Sequence, residues 1–285
     1  MAYLIEIKDI IENAGALLTL PDICMQIKRL VADPASSIGD IAELISKDPA
    51  LTARLLKIVN SPLYYFPRKI SSVSEAITLI GASQLYSLAL ATTAATIIQT
   101  VGGSYIEMKT LWEKAVYSAI FAKSINPNKS QDSESLFVAG LLSNIGALAV
   151  VKHAPDIALT AIGTPNKGQF PWQREKEVLG FTVAEVSGAL LKYWNLPDEI
   201  VVPVGYQHLP DIGHPCFFSC CILHIATRLA SEIIDKAQGQ TLNYRKAILK
   251  EPLALLGMKD EDIETKVSEV NGIAPEILNL FTIRG

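Results

Sequence analysis

Two long stretches of this chain, residues 76–106 and 135–151, contain no charged side chain. A stretch of that length without charge is typical of a buried core helix or a membrane span. The first stretch carries several Ser, Thr and Gln residues and the pair Gly102-Gly103, which favours a buried helix. Because apolar residues make up 49% of the chain, we expect an extensive core and no membrane segment.

Local signals predict helices throughout. Asp48 is a suitable N-cap and Pro49 a suitable first helical residue, and the apolar positions that follow recur at helical spacing. Ser72-Val73-Ser74-Glu75 has the form of a capping box and predicts the start of one long uncharged helix. Thr182-Val183-Ala184-Glu185 is a second capping box. No alternating pattern flanked by turn dipeptides predicts a sheet, so we expect an all-α fold.

The chain divides into three predicted parts. Residues 1–104 form an N-terminal helical part, residues 105–236 a helical core, and residues 237–285 a short helical extension with breaks at Glu251-Pro252 and Ala274-Pro275. The N-terminus has no secretory signal and the four cysteines form no disulfide framework, which predicts a cytoplasmic protein. The net charge of -4 without a basic block argues against direct nucleic-acid binding.

One polar pair interrupts the second uncharged stretch. Ser143-Asn144 lies between apolar and small residues within 135–151, which we expect to form one buried helix. Buried polar groups cost free energy unless they are paired. The pair therefore either marks a site or is satisfied by the backbone and by water within the packed helices.

Several segments, taken in order, resemble the HDOD domain family. Residues 20–23 read LPDI, residues 41–62 read IAELISKDPALTARLLKIVNSP, and residues 70–81 read ISSVSEAITLIG. Residues 139–146 read AGLLSNIG, and two further segments occur at 177–180 and 193–197. The resemblance covers about residues 17–231. The family-motif positions Asp48, Pro49, Asn60 and Ser61 are expected to be structural, with Asn60 in an unusual backbone conformation at a helix end.

The resemblance implies a helical fold related to HD-type metal phosphohydrolases and HD-GYP phosphodiesterases, in a family generally regarded as having lost the metal site. It places the expected metal ligands at Lys114, Ser143, Asn144, Val183, Gln207, His208 and Thr227. Only His208 keeps a ligand type, and a hydrolytic metal needs about three protein ligands. These seven residues are therefore candidates for lining a pocket without catalytic residues or a metal, and His208 is alternatively a loop histidine.

A second candidate metal cluster comprises His214, Cys216, Cys220, Cys221 and His224. On a helix, Cys216, Cys220 and His224 share one face, but its end residues lie about 12 Å apart, too far for one ion. The apolar neighbours indicate core packing instead.

The leading hypothesis is a non-catalytic bacterial signalling module without a cofactor, whose two helical halves enclose a cleft that binds a signalling protein or a small nucleotide-like ligand. One alternative is a metal-dependent phosphohydrolase or cyclic-di-GMP phosphodiesterase with a rearranged site. Another is a protein-interaction adaptor, and an oligomer is compatible with all three.

Overall fold

The computed structural model describes residues 5–15, 18, 20–101, 108–127, 133–162, 166, 168–237 and 243–281. Within these ranges the chain is helical without strands, which confirms the predicted all-α class. The helices are α1 (Ile7–Gly15), α2 (Asp22–Ala32), α3 (Ile38–Ser46), α4 (Pro49–Val59), α5 (Val73–Ile80), α6 (Ala82–Val101), α7 (Met108–Ile125), α8 (Ser133–Leu142), α9 (Gly146–His153), α10 (Pro155–Ile162), α11 (Pro171–Leu179), α12 (Val183–Tyr193), α13 (Asp198–Gly205), α14 (Phe217–Ala237), α15 (Lys250–Leu255) and α16 (Asp260–Phe281).

Two helix starts follow the sequence signals closely. The Asp48 side chain accepts a hydrogen bond from the backbone N–H of Leu51 at 3.0 Å, and Pro49 opens α4. Thr182 and Glu185 form a reciprocal capping box at the start of α12. These caps satisfy backbone N–H groups that would otherwise lack a partner in the first helical turn.

The helix predicted to begin at Ser72 and run through the first uncharged stretch is wrong as one element. Ser72 caps α5 as expected, since its side chain accepts from the N–H of Glu75. The chain then breaks at Gly81, whose φ of +90° lies in a region open mainly to glycine. The pair Gly102-Gly103 lies outside the described residues.

The second uncharged stretch is also not one helix. Ser143, Asn144 and Ile145 form a turn between α8 and α9. Ser and Asn favour turns because their side chains compete with the helical hydrogen-bond pattern. The polar pair therefore lies at a helix junction, where local backbone groups need partners, and not in the middle of a helix.

Helix α7 lies at the centre of the molecule and contacts α6, α8, α14 and α16. Gly140 allows α8 to approach α7 very closely, because a Cβ at that position would come within 2.5 Å of the Cα of Ala119. Helices α9 to α13 cover one side of this centre, and α2 to α6 form the N-terminal half. Helix α1 returns to pack on α9 and α12, and the indole of Trp194 donates to the carbonyl of Leu18 at 2.6 Å.

The C-terminal segment contributes to the core. Helix α16 packs against α7 and also against α4 of the N-terminal half, and it buries Ile263, Val270 and Ile277. The expected break at Ala274-Pro275 is wrong, because Pro275 lies inside this helix. Pro275 is exposed, so the backbone carbonyl that it leaves without an intrahelical donor can be hydrated.

Two helical stretches, Ser133–His153 and Phe217–Ala237, are long and apolar enough to cross a membrane by composition, and α5 with α6 forms a third, sharply bent candidate. In the two stretches, 83% and 72% of the most apolar window is buried inside the protein. The fold therefore uses this apolar surface mainly for its own core.

Candidate functional site

The Ser143-Asn144 turn is satisfied by groups of the protein itself. Ser143 is fully buried, and its backbone carbonyl accepts a hydrogen bond from the side-chain amide of Gln207 at 2.7 Å. The Asn144 amide lies 3.4 Å from the Ser143 hydroxyl. A second hydroxyl holds the start of the next helix, since Ser187 accepts from the N–H of Gly146 at 2.9 Å. The turn therefore has a packing role that explains its polar residues.

Lys114 forms a buried ion pair. Its ammonium lies 2.7 Å from a carboxylate oxygen of Asp235 on α14, and the two side chains are 19% and 3% exposed. The Tyr244 hydroxyl donates to the same carboxylate, and burial raises the pKa of that tyrosine. An internal ammonium thus occupies the position where the HDOD resemblance places a metal-binding histidine, and its charge is compensated by Asp235.

Glu175, which the sequence analysis did not single out, belongs to the same cluster. It is buried on α11 and accepts a hydrogen bond from the backbone N–H of Val183 at 2.7 Å. Burial raises the pKa of Glu175 to about 7, partly opposed by the Val183 N–H; the charge of Glu185 raises the value and that of Lys114 lowers it. Val183 therefore contributes its backbone to this site, and its side chain is apolar and buried.

Gln207 and Arg228 connect the loop before α14 to that helix. Gln207 is fully buried, and its backbone carbonyl accepts from the guanidinium of Arg228 at 2.9 Å. Arg228 also donates to the carbonyls of His224 and His208, at 3.2 Å and 3.3 Å. Burial lowers the pKa of Arg228 to about 9. The Thr227 hydroxyl donates to the carbonyl of Leu223 at 2.9 Å, so it is engaged within its own helix.

His208 is part of an aromatic stack. Its ring lies 4.9 Å from that of Trp172, which lies 4.7 Å from the ring of Phe170, measured between centroids. The Arg228 guanidinium lies 4.7 Å from the Trp172 ring centroid. Burial, followed by the charges of Arg228 and His224, lowers the pKa of His208 well below its ordinary value. His208 is therefore a neutral, stacked ring.

The second predicted metal cluster does not converge. Both ring nitrogens of His224 are engaged, because Nδ1 lies 2.9 Å from the carbonyl of Gln207 and Nε2 accepts from the N–H of Leu249 at 3.0 Å. Cys216 precedes α14, and His214 accepts from its N–H at 3.0 Å. Burial raises the pKa of Cys220 to about 12. The described residues contain no group of three or more His, Cys, Asp or Glu arranged to hold a metal ion.

The side chain of the motif residue Asn60 binds the backbone of the segment between α4 and α5. Its side-chain amide donates to the carbonyl of Ile70 at 2.9 Å, and its carbonyl oxygen accepts from the N–H of Ile70 at 2.7 Å. The unusual backbone conformation expected for Asn60 is wrong, since its φ is -86°. Ser61 is buried and donates to the carbonyl of Ile58 at 2.6 Å. The two polar residues fix the start and the end of the segment between α4 and α5.

A cleft of about 850 Å³ lies between the N-terminal half and the core. The segment between α4 and α5 and helices α5 and α6 form one side, α7 and α8 the other, and α16 completes the lining. This cleft was expected in outline from the two helical halves, but its lining residues were not predicted.

The HDOD domain family model matches residues 17–210 of this chain. The chain belongs to the HDOD domain family. This HDOD chain is 27% identical over 194 residues to an uncharacterized protein of Treponema pallidum (strain Nichols), and the match covers 66% of the chain. The chain spans 37% of the length of that curated relative.

Solved structures share the fold of this HDOD chain. A protein of Shewanella amazonensis SB2B named "Putative phosphohydrolase" has a TM-score of 0.72 at 22% identity, covering 96% of this chain and 98% of the other. An HDOD domain protein of Geobacter sulfurreducens has a TM-score of 0.68 at 24% identity, covering 96% of each chain. At these identities the likeness establishes the shared helical fold and nothing about activity.

Within the part of the chain that the structure describes, the positions placed by the resemblance do not fit a catalytic metal. Lys114 offers a paired ammonium, Ser143 and Gln207 are committed to backbone contacts, and His208 is stacked against Trp172. A hydrolytic centre needs about three ligating side chains and an open position. The seven positions taken from the resemblance are brought together in part, around α7, α8 and α14, as a polar core. Most of its polar groups are bonded within the protein, but Gln207 Oε1 and His208 Nδ1 are buried without a hydrogen-bond partner.

Proposed function

We propose that this HDOD chain is a non-catalytic regulatory module that acts by binding a ligand or a protein partner. The Lys114–Asp235 ion pair carries the proposal. It stands where the resemblance puts a metal ligand, and it supplies from within the chain a positive charge that neutralises a buried carboxylate. An ammonium whose electron pair holds a proton cannot ligate a metal, and it repels a cation nearby.

The mechanism is a shift in the relative populations of helix packings. The N-terminal half meets the core along the cleft described above, and α16 contacts both α4 and α7. A ligand changes such an equilibrium only by as much as its affinity differs between the two packings. Binding along this boundary therefore has a direct route to a change in the surface that a partner contacts.

Metal content and hydrolysis test the proposal together. We expect protein purified without a metal-affinity tag to contain far less than one equivalent of Mn, Fe or Zn by elemental analysis. We also expect no hydrolysis of cyclic di-GMP or of bis(p-nitrophenyl) phosphate above the buffer rate when Mn²⁺ is added. His153→Ala serves as a matched control for His208→Ala, because His153 lies at the end of α9, next to Asn13.

Retained metal or hydrolytic turnover would contradict the proposal. About one equivalent of metal that survives dialysis against chelator and is lost in His208→Ala would contradict the proposal in favour of the phosphohydrolase alternative. Turnover that disappears in His208→Ala and persists in His153→Ala would do the same. The name of the Shewanella protein suggests this alternative, but the side chains at the seven positions placed by the resemblance do not support it. Retention of metal that is lost in Cys220→Ala would instead identify the second cluster as a real site and also overturn the proposal.

A further inference from the structure

The cleft between the N-terminal half and the core has the size of a small-molecule site. Its volume of about 850 Å³ lies within the range of about 300–1,000 Å³ that is typical of ligand pockets. Its surface is mixed: apolar residues such as Leu63, Ile120 and Ile273 alternate with hydroxyl and amide groups. A cleft of this composition can bury a flat or branched organic molecule and orient it through hydrogen bonds.

The charged groups in the cleft are neutralised within the protein. The Lys123 ammonium lies 2.6 Å from one oxygen of the Glu134 carboxylate, and the Tyr64 hydroxyl donates to the other at 2.7 Å. Lys123 also lies 3.7 Å from the centroid of the Tyr64 ring. Nearer the surface, Lys266 pairs with Glu269 at 2.8 Å. The two cations and two anions among the described lining residues thus compensate each other.

This charge balance selects against an anionic ligand. A phosphate or carboxylate entering the cleft would lose hydration and would meet cations whose charge is already shared with Glu134 and Glu269. An uncompensated charge is costly to bury. An uncharged molecule avoids that cost and leaves both ion pairs intact.

The remaining polar groups suit an uncharged, polar molecule. Five serines and one glutamine line the cleft, namely Ser83, Gln84, Ser87, Ser124, Ser133 and Ser135. Ser124 already donates to Glu269 at 3.3 Å and Ser133 accepts from the Asn126 amide at 3.1 Å. The match to a ligand therefore rests on Ser83, Gln84, Ser87 and Ser135. Hydroxyl and amide side chains both donate and accept hydrogen bonds, so they match hydroxyl, amide and ring-nitrogen groups on a ligand.

Tyr65 adds an aromatic surface at the rim. Its side chain is 77% exposed, and its φ of +52° is a left-handed conformation that bulky residues rarely adopt. Leu79, which also lines the cleft, is a large apolar residue whose exposed fraction is 43%. Backbone strain of this kind concentrates at functional positions, and a flat ligand ring that stacked on Tyr65 would cover its exposed apolar surface.

We infer that this cleft binds an uncharged organic molecule that carries a flat ring and several hydroxyl or amide groups. The inference rests on the proposed function, because it assigns the ligand of a binding module. It differs from the nucleotide-like ligand expected from the resemblance in lacking the phosphate charge.

Nucleosides and their 5′-monophosphates provide matched probes, since each pair differs only by the phosphate. We expect isothermal titration calorimetry on the full chain to give a Kd below about 1 mM for at least one of adenosine, guanosine, cytidine and uridine. The corresponding monophosphate should bind at least about tenfold more weakly, which corresponds to about 1.4 kcal/mol.

Two variants locate the binding. Ser83→Leu should fill part of the cleft and weaken binding by about tenfold or more, whereas Ser268→Leu on the exposed face of α16 should leave the Kd unchanged. Tyr65→Gly removes the ring and suits the positive φ, so it should weaken binding while the Tm stays equal or rises. A residue with only a structural role would not separate affinity from stability in this way.

Three outcomes would overturn the inference. The first is absence of saturable binding by all four nucleosides, and the second is monophosphate binding equal to or tighter than that of the nucleoside. The third is nucleoside binding that Ser83→Leu and Tyr65→Gly leave unchanged. None of them bears on metal content or hydrolysis, so failure of the inference is distinguishable from failure of the proposed function.

Discussion

Replacing Lys114 by methionine tests the central electrostatic argument, because it removes the ammonium and keeps a long apolar side chain. Two unit charges 2.7 Å apart attract each other by about 6 kcal/mol at an effective dielectric constant of 20. Desolvation of both groups offsets part of this attraction, and the 19% exposure of Lys114 lets water screen another part. Removing one partner of a buried pair generally costs about 3–5 kcal/mol.

We therefore expect Lys114→Met to lower the free energy of unfolding by about 3 kcal/mol at pH 7, mainly because the Asp235 carboxylate stays buried without its cation. The assay is urea denaturation followed by circular dichroism at 222 nm, with the m-value checked for a change in the unfolded state. Lys109→Met is the matched control on the same helix. Lys109 is 85% exposed and 3.9 Å from Glu113, so its loss should cost less than about 0.5 kcal/mol.

A second substitution completes the thermodynamic cycle. Asp235→Asn in the Lys114→Met background removes the unpaired charge and retains an oxygen that accepts from Tyr244, so it should restore at least about 1 kcal/mol of the lost stability. A loss in Lys114→Met that equals the loss in Lys109→Met would refute the reasoning. So would a double variant that is less stable than Lys114→Met, because the buried carboxylate would then not be the source of the cost.

Three further predictions concern stability. In the native protein the Glu175 carboxyl has a pKa of about 7 against an ordinary 4.5, so between these pH values it binds more protons than in the unfolded chain. The stability of the wild type should therefore fall by up to about 3 kcal/mol as the pH rises from 4.5 to 7. Glu175→Gln should flatten this dependence, which urea titrations across that pH range measure. Asn60→Ala should cost about 2–3 kcal/mol in urea denaturation, because it leaves both backbone groups of buried Ile70 without their side-chain partner; Asn60→Asp, which keeps only the acceptor, should lose less. Gly140→Ala should cost about 3 kcal/mol by forcing α8 away from α7, whereas Gly272→Ala, with open space on α16, should gain up to about 1 kcal/mol in the same assay.

Local signals in the sequence were sufficient for part of the fold. The N-cap and proline of α4, and the reciprocal capping box at Thr182, depend on residues three positions apart, and the structure forms both as predicted. The all-helical class followed from the same kind of information. Such features are set by short-range hydrogen bonds and apolar periodicity, which a single sequence displays directly.

Breaks within uncharged stretches were harder to predict. The apolar pattern continues across Gly81 and across the Ser143 turn, so hydropathy alone indicates one helix in each place. The available signals were the turn-forming residues themselves, a glycine and a Ser-Asn pair. At Pro275 the same kind of signal was misleading, because an exposed proline is tolerated within α16, where the packing of its other face holds the helix together.

The candidate site depends most on long-range partners. Lys114 and the other positions could be placed by resemblance, but nothing in the sequence pairs Lys114 with Asp235 or brings Glu175 to the backbone of Val183. Considered locally, Lys114, Asp235 and Glu175 are ordinary charged residues. Only the tertiary structure shows that their charges are buried and must be compensated.

The polar core and the cleft differ in a way that bears on regulation. Lys114 is paired with Asp235 inside the protein, and Gly140 lets α8 approach α7 closely. The cleft, in contrast, is lined by hydroxyl and amide groups from the N-terminal half and the core, and α16 adds charged and apolar side chains. A ligand there would contact several separately packed helices at once, and its differential affinity for their arrangements would set the size of the response. In this view, the ion pair compensates the buried charges of the core, and the effect of binding is concentrated at the boundary between the halves.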